Sequence, residues 1–170
     1  MPRRRQSFEP GHRRKFLVVI DDTPECDRAI YYAARRAART QGGLVMLIVL
    51  DLADAASQWL GVADLMRAEA TDGAAARLDH FAARVRSLGG VEPERVIREG
   101  SIAEEVVKLI ETDEDIGILV LAAGAGHEGP GPLVASLSAG AWAHGVWARL
   151  PVPVTIVPAT LDEDDIDALA

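Results

Sequence analysis

The chain has 170 residues, 49% of them hydrophobic and 5% aromatic, which is enough to bury one core and favours a single domain. Its net charge of −8 argues against a nucleic-acid surface, which needs a basic stripe to displace counterions. A single cysteine, Cys26, excludes an internal disulfide, and no stretch approaches the roughly twenty apolar positions of a membrane span.

Residues 1–14 hold Arg3, Arg4, Arg5, Arg13 and Arg14 without apolar periodicity, and predict a disordered basic arm. No signal peptide is predicted, because Phe16 to Ile20 runs straight into Asp21 and Asp22, so the expected compartment is cytoplasmic. "KFLVVID" is the short continuous apolar run of a buried parallel strand. Thr23-Pro24 then reads as an N-cap with proline at the first helical position. The helix that follows places Ala29, Ile30, Ala33, Ala34, Ala37 and Ala38 on one face, small enough to lie close to a sheet. Gly42-Gly43 ends it, and "LVMLIVL" is the second strand.

After the loop "DLADAASQWLG" comes a longer helix, marked by Leu78, Phe81, Ala82, Val85 and Leu88 and stopped by Gly89-Gly90. "RVIREG" is a third strand whose charges suggest an edge. Ser101 and Glu104 form a capping-box pattern before the next helix, and "IGILVLA" is the fourth strand. The glycine- and proline-rich "AGAGHEGPGP" leads to a helix from about 133 to 148 carrying Trp142 and Trp147. "PVTIV" is the fifth strand, and the acids from Asp162 to Asp167 predict a solvated acidic tail over 159–170. Residues 1–12 and 162–170 lack apolar periodicity and are expected to be dispensable for folding.

Alternating strands and helices imply an α/β fold, a doubly wound sandwich with helices on both faces of a parallel sheet. Ligands of such folds sit outside the carboxyl ends of the strands, where the winding reverses. The candidate positions are therefore Asp21, Asp22 and Thr23 after the first strand, Asp51 after the second, and the glycine loop after the fourth. The adjacent acids admit three readings: a Mg²⁺ site, hydrogen bonds to a ribose or base, or satisfaction of a helix start. The loop offers backbone N–H groups to an anion, but contains no lysine or arginine and does contain Glu128. No catalytic set is assigned: His12, His80, His127 and His144 lack ligand spacing, and there is no G-x-S-x-G elbow. No metal site is assigned either. A receiver-domain reading of "VVIDDTPE" and "LIVLDL" fails, because one helix separates Asp22 from Asp51 and only Lys15 and Lys108 are available as the required lysine. Cys26, in the first turn of a helix, reads as a small half-buried filler or as a thiol of lowered pKa.

"FLVVIDDTPECDRAIYYAARRAARTQGGLVMLIVL" resembles the opening of a universal stress protein, and "LPVPVTIVP" resembles its closing strand. The resemblance covers about residues 15–158. It implies a five-stranded sheet of order 3-2-1-4-5 and a homodimer built through the strand around Val152–Val157. ATP-binding members follow the fourth strand with a glycine pattern: Gly, two residues, Gly, nine residues, Gly, then Ser or Thr. Asp21 matches the aspartate that contacts the nucleoside, and Gly126 and Gly129 match the first pair. Nine residues further stands Ala139, whereas counting back from the closing prolines selects Gly140 followed by Ala141, so the hydroxyl is missing in either register. The implied nucleotide site comprises Asp21, Asp22, Thr23, Val49, Gly124, Gly126, Gly129, Gly140 and Ala141. The expected function is that of a cytoplasmic stress-response homodimer that binds ATP weakly, with Mg²⁺ if at all, and at most hydrolyses it slowly. The alternative is a stress protein without nucleotide that docks a protein partner.

Overall fold

The computed structural model describes residues 4–53, 60–138 and 149–170. The five apolar runs become strands β1 (Lys15–Val19), β2 (Gly43–Leu50), β3 (Glu94–Glu99), β4 (Ile116–Ala123) and β5 (Val154–Pro158). They form one sheet of order β3-β2-β1-β4-β5, every neighbouring pair parallel. Five helices are described: α1 (Cys26–Arg39), α2 (Leu60–Gly89), α3 (Ile102–Thr112), α4 (Pro132–Ser138) and α5 (Glu163–Leu169).

The central strand explains the layering. Side chains alternate along a strand, so Phe16 and Val18 point to one face and Leu17 and Val19 to the other; all four are buried. The first face packs on the alanine stripe of α1 and on Ala74, Leu78, Ala82 and Val85 of α2. The second packs on Ala103, Val106, Leu109 and Ile110 of α3 and Leu133 of α4. Because β1 lies between β2 and β4, the chain winds outward in both directions from it. The carboxyl ends of β1 and β4 are therefore adjacent, which is what brings the turn after Val19 to the loop after Ala123.

The two ends of the chain differ from the sequence expectation. Residues 159–170 are not a solvated tail: Asp162 caps α5, its carboxylate accepting from the Asp165 N–H (2.8 Å) while Asp165 accepts from the Asp162 N–H (3.2 Å). Ile166 is fully buried in the α1 face of the core. Arg39 of α1 donates to the Asp167 carbonyl at 2.7 Å and to the Ala170 carbonyl, Arg35 reaches the Asp167 carboxylate, and Arg84 of α2 reaches Glu163. Of the acids that suggested solvation, Glu163 and Asp167 are answered by arginines from two helices, and Asp162 and Asp165 by the cap. Residues 4–14 contain no helix or strand, yet they too dock. Arg5 Nη1 donates to the Ile110 and Asp113 carbonyls (2.6 and 3.0 Å) at the end of α3, where the helix terminus favours a cation. Ser7 Oγ donates to the Asp115 carbonyl, and His12 Nδ1 lies 2.6 Å from the Asp115 carboxylate.

Local caps differ as well. Thr23 does not cap α1, because the Asp21 carboxylate takes both its N–H (3.0 Å) and its hydroxyl, and the helix starts at Cys26. Ser101 occupies the N-cap position of α3 without a side-chain bond, so the capping box is not formed. Past α1 the left-handed residue is Gln41 (φ 55°), while Gly42 is needed for close approach: a Cβ there would lie 2.9 Å from the Arg14 carbonyl oxygen. The described part of α4 ends at Ser138; the rest of the predicted helix, with Trp142 and Trp147, lies outside the described residues.

Candidate functional site at the carboxyl ends of β1 and β4

Where β1 ends, Asp21 closes an Asx turn on Thr23, and the turn continues as Thr23-Pro24-Glu25 before α1. Where β4 ends, the Gly124 N–H donates to the Pro130 carbonyl (3.1 Å), folding 124–130 into a closed loop. Gly129 (φ 97°) and Gly131 (φ 91°) take backbone conformations that side chains disfavour. Loop and turn enclose a cavity of about 900 Å³, lined by Thr23, Pro24, Glu25 and Arg28 on one side and by Gly124, Gly126, Glu128, Gly129 and Gly131 on the other. That is the size of a small-molecule site.

Two smaller hollows continue along the sheet edge. One, lined by Asp21, Asp22, Thr23, Arg77, His80 and Phe81, shares Thr23 with the large cavity. The other, about 160 Å³, is mostly apolar and lies among Val19, Ile20, Ile48, Val49, Ile102 and Leu133, with Asp21, Asp22 and Arg77 at its rim. The sequence-predicted Asp21, Asp22, Thr23, Val49, Gly124, Gly126 and Gly129 thus all line this row of hollows. Gly140 and Ala141 lie outside the described residues. Asp51 is not brought in: it lines a separate hollow with Arg67, Glu99 and Ser101, and accepts from the Ala53 N–H at 3.2 Å.

Three residues that the sequence reading did not assign to the site stand in it. Arg28 and Arg77 are half-buried, and neither side chain has a hydrogen bond or ion pair among the described residues. Arg28 Nη1 is moreover shielded from solvent without a partner, an unfavourable state for a charged donor. Glu25 places Oε1 where a Cβ on Gly131 would be only 2.7 Å away and one on Gly124 3.2 Å. Glu25 and Arg28 come from the start of α1 and Arg77 from α2, all distant in sequence from the loop, and the β1–β4 adjacency was the signal that would have pointed to the first two.

Cys26 has the opposite character. Burial pushes its thiol up to about 12, and its Sγ faces the Val19 carbonyl at 3.9 Å. It is an inert filler, not an activated nucleophile. Among the described residues, no three His, Cys, Asp or Glu side chains stand close enough to hold a metal ion. No described helix is long and apolar enough to cross a membrane.

A profile of the Universal stress protein family matches residues 12–158. Among solved structures, the universal stress protein UspA from Lactobacillus plantarum is similar at 19% identity, covering 85% of this chain and 97% of that one, with a TM-score of 0.64. A universal stress protein solved in complex with cAMP is similar at 18% identity, covering 86% and 98%, with a TM-score of 0.60. The universal stress protein from Archaeoglobus fulgidus in complex with dAMP is similar at 16% identity, covering 85% and 97%, with a TM-score of 0.52. No curated protein sequence matches the chain.

Proposed function

We propose, from the premise that this chain belongs to the universal stress protein family, that it binds an adenine nucleotide along the carboxyl edge of β1 and β4 and acts by binding rather than by turnover. The row of connected hollows carries this reading. The apolar slot beside Val49, Ile102 and Leu133 suits a base, and Asp21, which spends one carboxylate oxygen on Thr23, retains the other for a ribose hydroxyl. The loop of Gly124, Gly126 and Gly129 lets backbone approach phosphate oxygens. Arg77 stands over the middle of the row and Arg28 over its far end. Similar proteins solved with cAMP and dAMP support an adenine nucleotide as the ligand class.

ATP, accompanied by its own Mg²⁺, is the proposed ligand, bound weakly because neither Gly140 nor Ala141, the hydroxyl positions of the two registers, supplies the hydroxyl of the family pattern. We further propose that the protein works in the cytoplasm as a homodimer paired through β5, where Ile156 stays 45% exposed on an edge strand that needs cover. Calorimetric titration of ATP into the wild type and Asp21→Ala tests the site. The wild type should bind, and the variant should bind about tenfold or more weakly, in line with a lost hydrogen bond to a charged group. No binding by the wild type at millimolar ATP would overturn the reading in favour of a protein-docking module.

A further inference from the structure

Glycines in a loop admit close approach by whatever lies opposite, and here the residue opposite is Glu25. Its Oε1 occupies the space that a Cβ of Gly131 would fill and crowds that of Gly124. Neither hydrogen bond nor ion pair holds this carboxylate among the described residues. Three residues along the same helix, Arg28 lines the same cavity with Nη1 desolvated and unpaired, yet no ion pair joins the two side chains. An internal anion thus sits against the glycine backbone, and a cation without an anion faces the same cavity.

Resting on the nucleotide reading of this edge, we propose that Glu25 is an internal occupant of the phosphate cradle and that Arg28 is its specificity-determining cation. In the empty state the Glu25 carboxylate fills the hollow against Gly124 and Gly131. A bound phosphoryl group takes that position, Glu25 turns outward, and Arg28 gains the anionic partner it lacks. The loop itself carries no cation, so Arg28 supplies from α1 the charge recognition that the loop's own sequence omits. The arrangement makes affinity for phosphate the balance of an attraction and a displaced like charge, whereas the base end of the site is untouched by either residue.

The test titrates the full chain, as wild type, Glu25→Gln and Arg28→Met, with three probes: ATP, adenosine and inorganic tripolyphosphate. Glu25→Gln should bind ATP and tripolyphosphate about tenfold more tightly, Arg28→Met about tenfold more weakly, and adenosine should bind all three proteins alike. Glu25→Ala repeats the first arm should the amide misfold, and thermal melts confirm that each variant is folded. If adenosine and ATP bind but the phosphate probes ignore both substitutions, the inference falls while the nucleotide reading stands. If tripolyphosphate responds as expected and adenosine binds nothing, the anion site stands and the nucleotide reading falls. If no probe binds any variant, both fall.

Discussion

Helix α1 borders two charged regions that behave in opposite ways, and neighbouring residues belong to each. Along the seam with α2 and α5, Asp27, Arg35 and Arg39 of α1 are all answered. Asp27 holds Arg84 (Nη2–Oδ2 2.9 Å), Arg84 also holds Glu163, Arg35 holds Asp167 and the Tyr31 hydroxyl, and Arg39 holds the carbonyls at the end of α5. At the mouth above β1 and β4, Glu25 and Arg28 have no such partners among the described residues, although each lies within two positions of Asp27. Tyr31 shows how dense the seam is, with the Arg35 and Arg84 guanidinium groups 5.3 and 5.5 Å from its ring centre. Paired charges mark where the fold is held together. The unpaired Glu25 and Arg28 at the mouth are where a ligand would complete the electrostatics.

The comparison breaks if the seam is not structural. Ile166 is fully buried under α5, so Ile166→Ala should lower stability by about 2–4 kcal/mol, a drop of roughly 10 °C in Tm for a chain of this size. Nucleotide affinity should stay within twofold of wild type, because Ile166 lines none of the hollows at the mouth. A melt unchanged by the substitution, measured by calorimetry, would return residues 162–170 to the status of a dispensable tail.

A smaller effect sharpens it. A double-mutant cycle between Asp27→Asn and Arg84→Ala should give a coupling of about 1 kcal/mol, modest because both side chains keep some contact with water. In the structure those side chains are 31% and 28% exposed. The same cycle run on Glu25 and Arg28 should give no coupling in the absence of ligand, since no contact joins them. Equal coupling in the two cycles, read from urea unfolding midpoints, would erase the distinction between seam and mouth.

How much of this was legible in the sequence divides along the same line. The apolar runs at Phe16–Ile20, Leu44–Leu50 and Ile118–Ala122 fixed the strands because burial on both faces leaves no alternation to misread. Asp21 and the glycine loop were legible because strand ends in this architecture have a known use. Arg28 and Arg77 were not. The loop's own sequence holds no cation, whereas sheet order delivers one from each of two helices nearly 100 and 50 residues earlier. The acidic end misled for a different reason: charge composition outweighed one isoleucine, although Asp162 and Asp165 already stood at capping-box spacing.

The smallest expected effect extends the rule of paired charges to the opposite end of the sheet. Lys15 begins β1 at the amino edge with its side chain 18% exposed, and its ammonium lies 2.9 Å from both Glu94 and Asp113. Burial pulls this group down, but the hydrogen bonds to Glu94 and Asp113 outweigh it, and the group titrates above its ordinary 10.5. A pKa raised by folding contributes stability that is fully present below 10.5 and is lost as pH climbs through the folded value. Urea unfolding of wild type and Lys15→Met should therefore show a wild-type advantage at about pH 9 that shrinks by about pH 11.5. Groups common to both proteins cancel in the difference. A difference that stays constant with pH would mean that the Lys15 stem, not its charge, is what the amino edge uses.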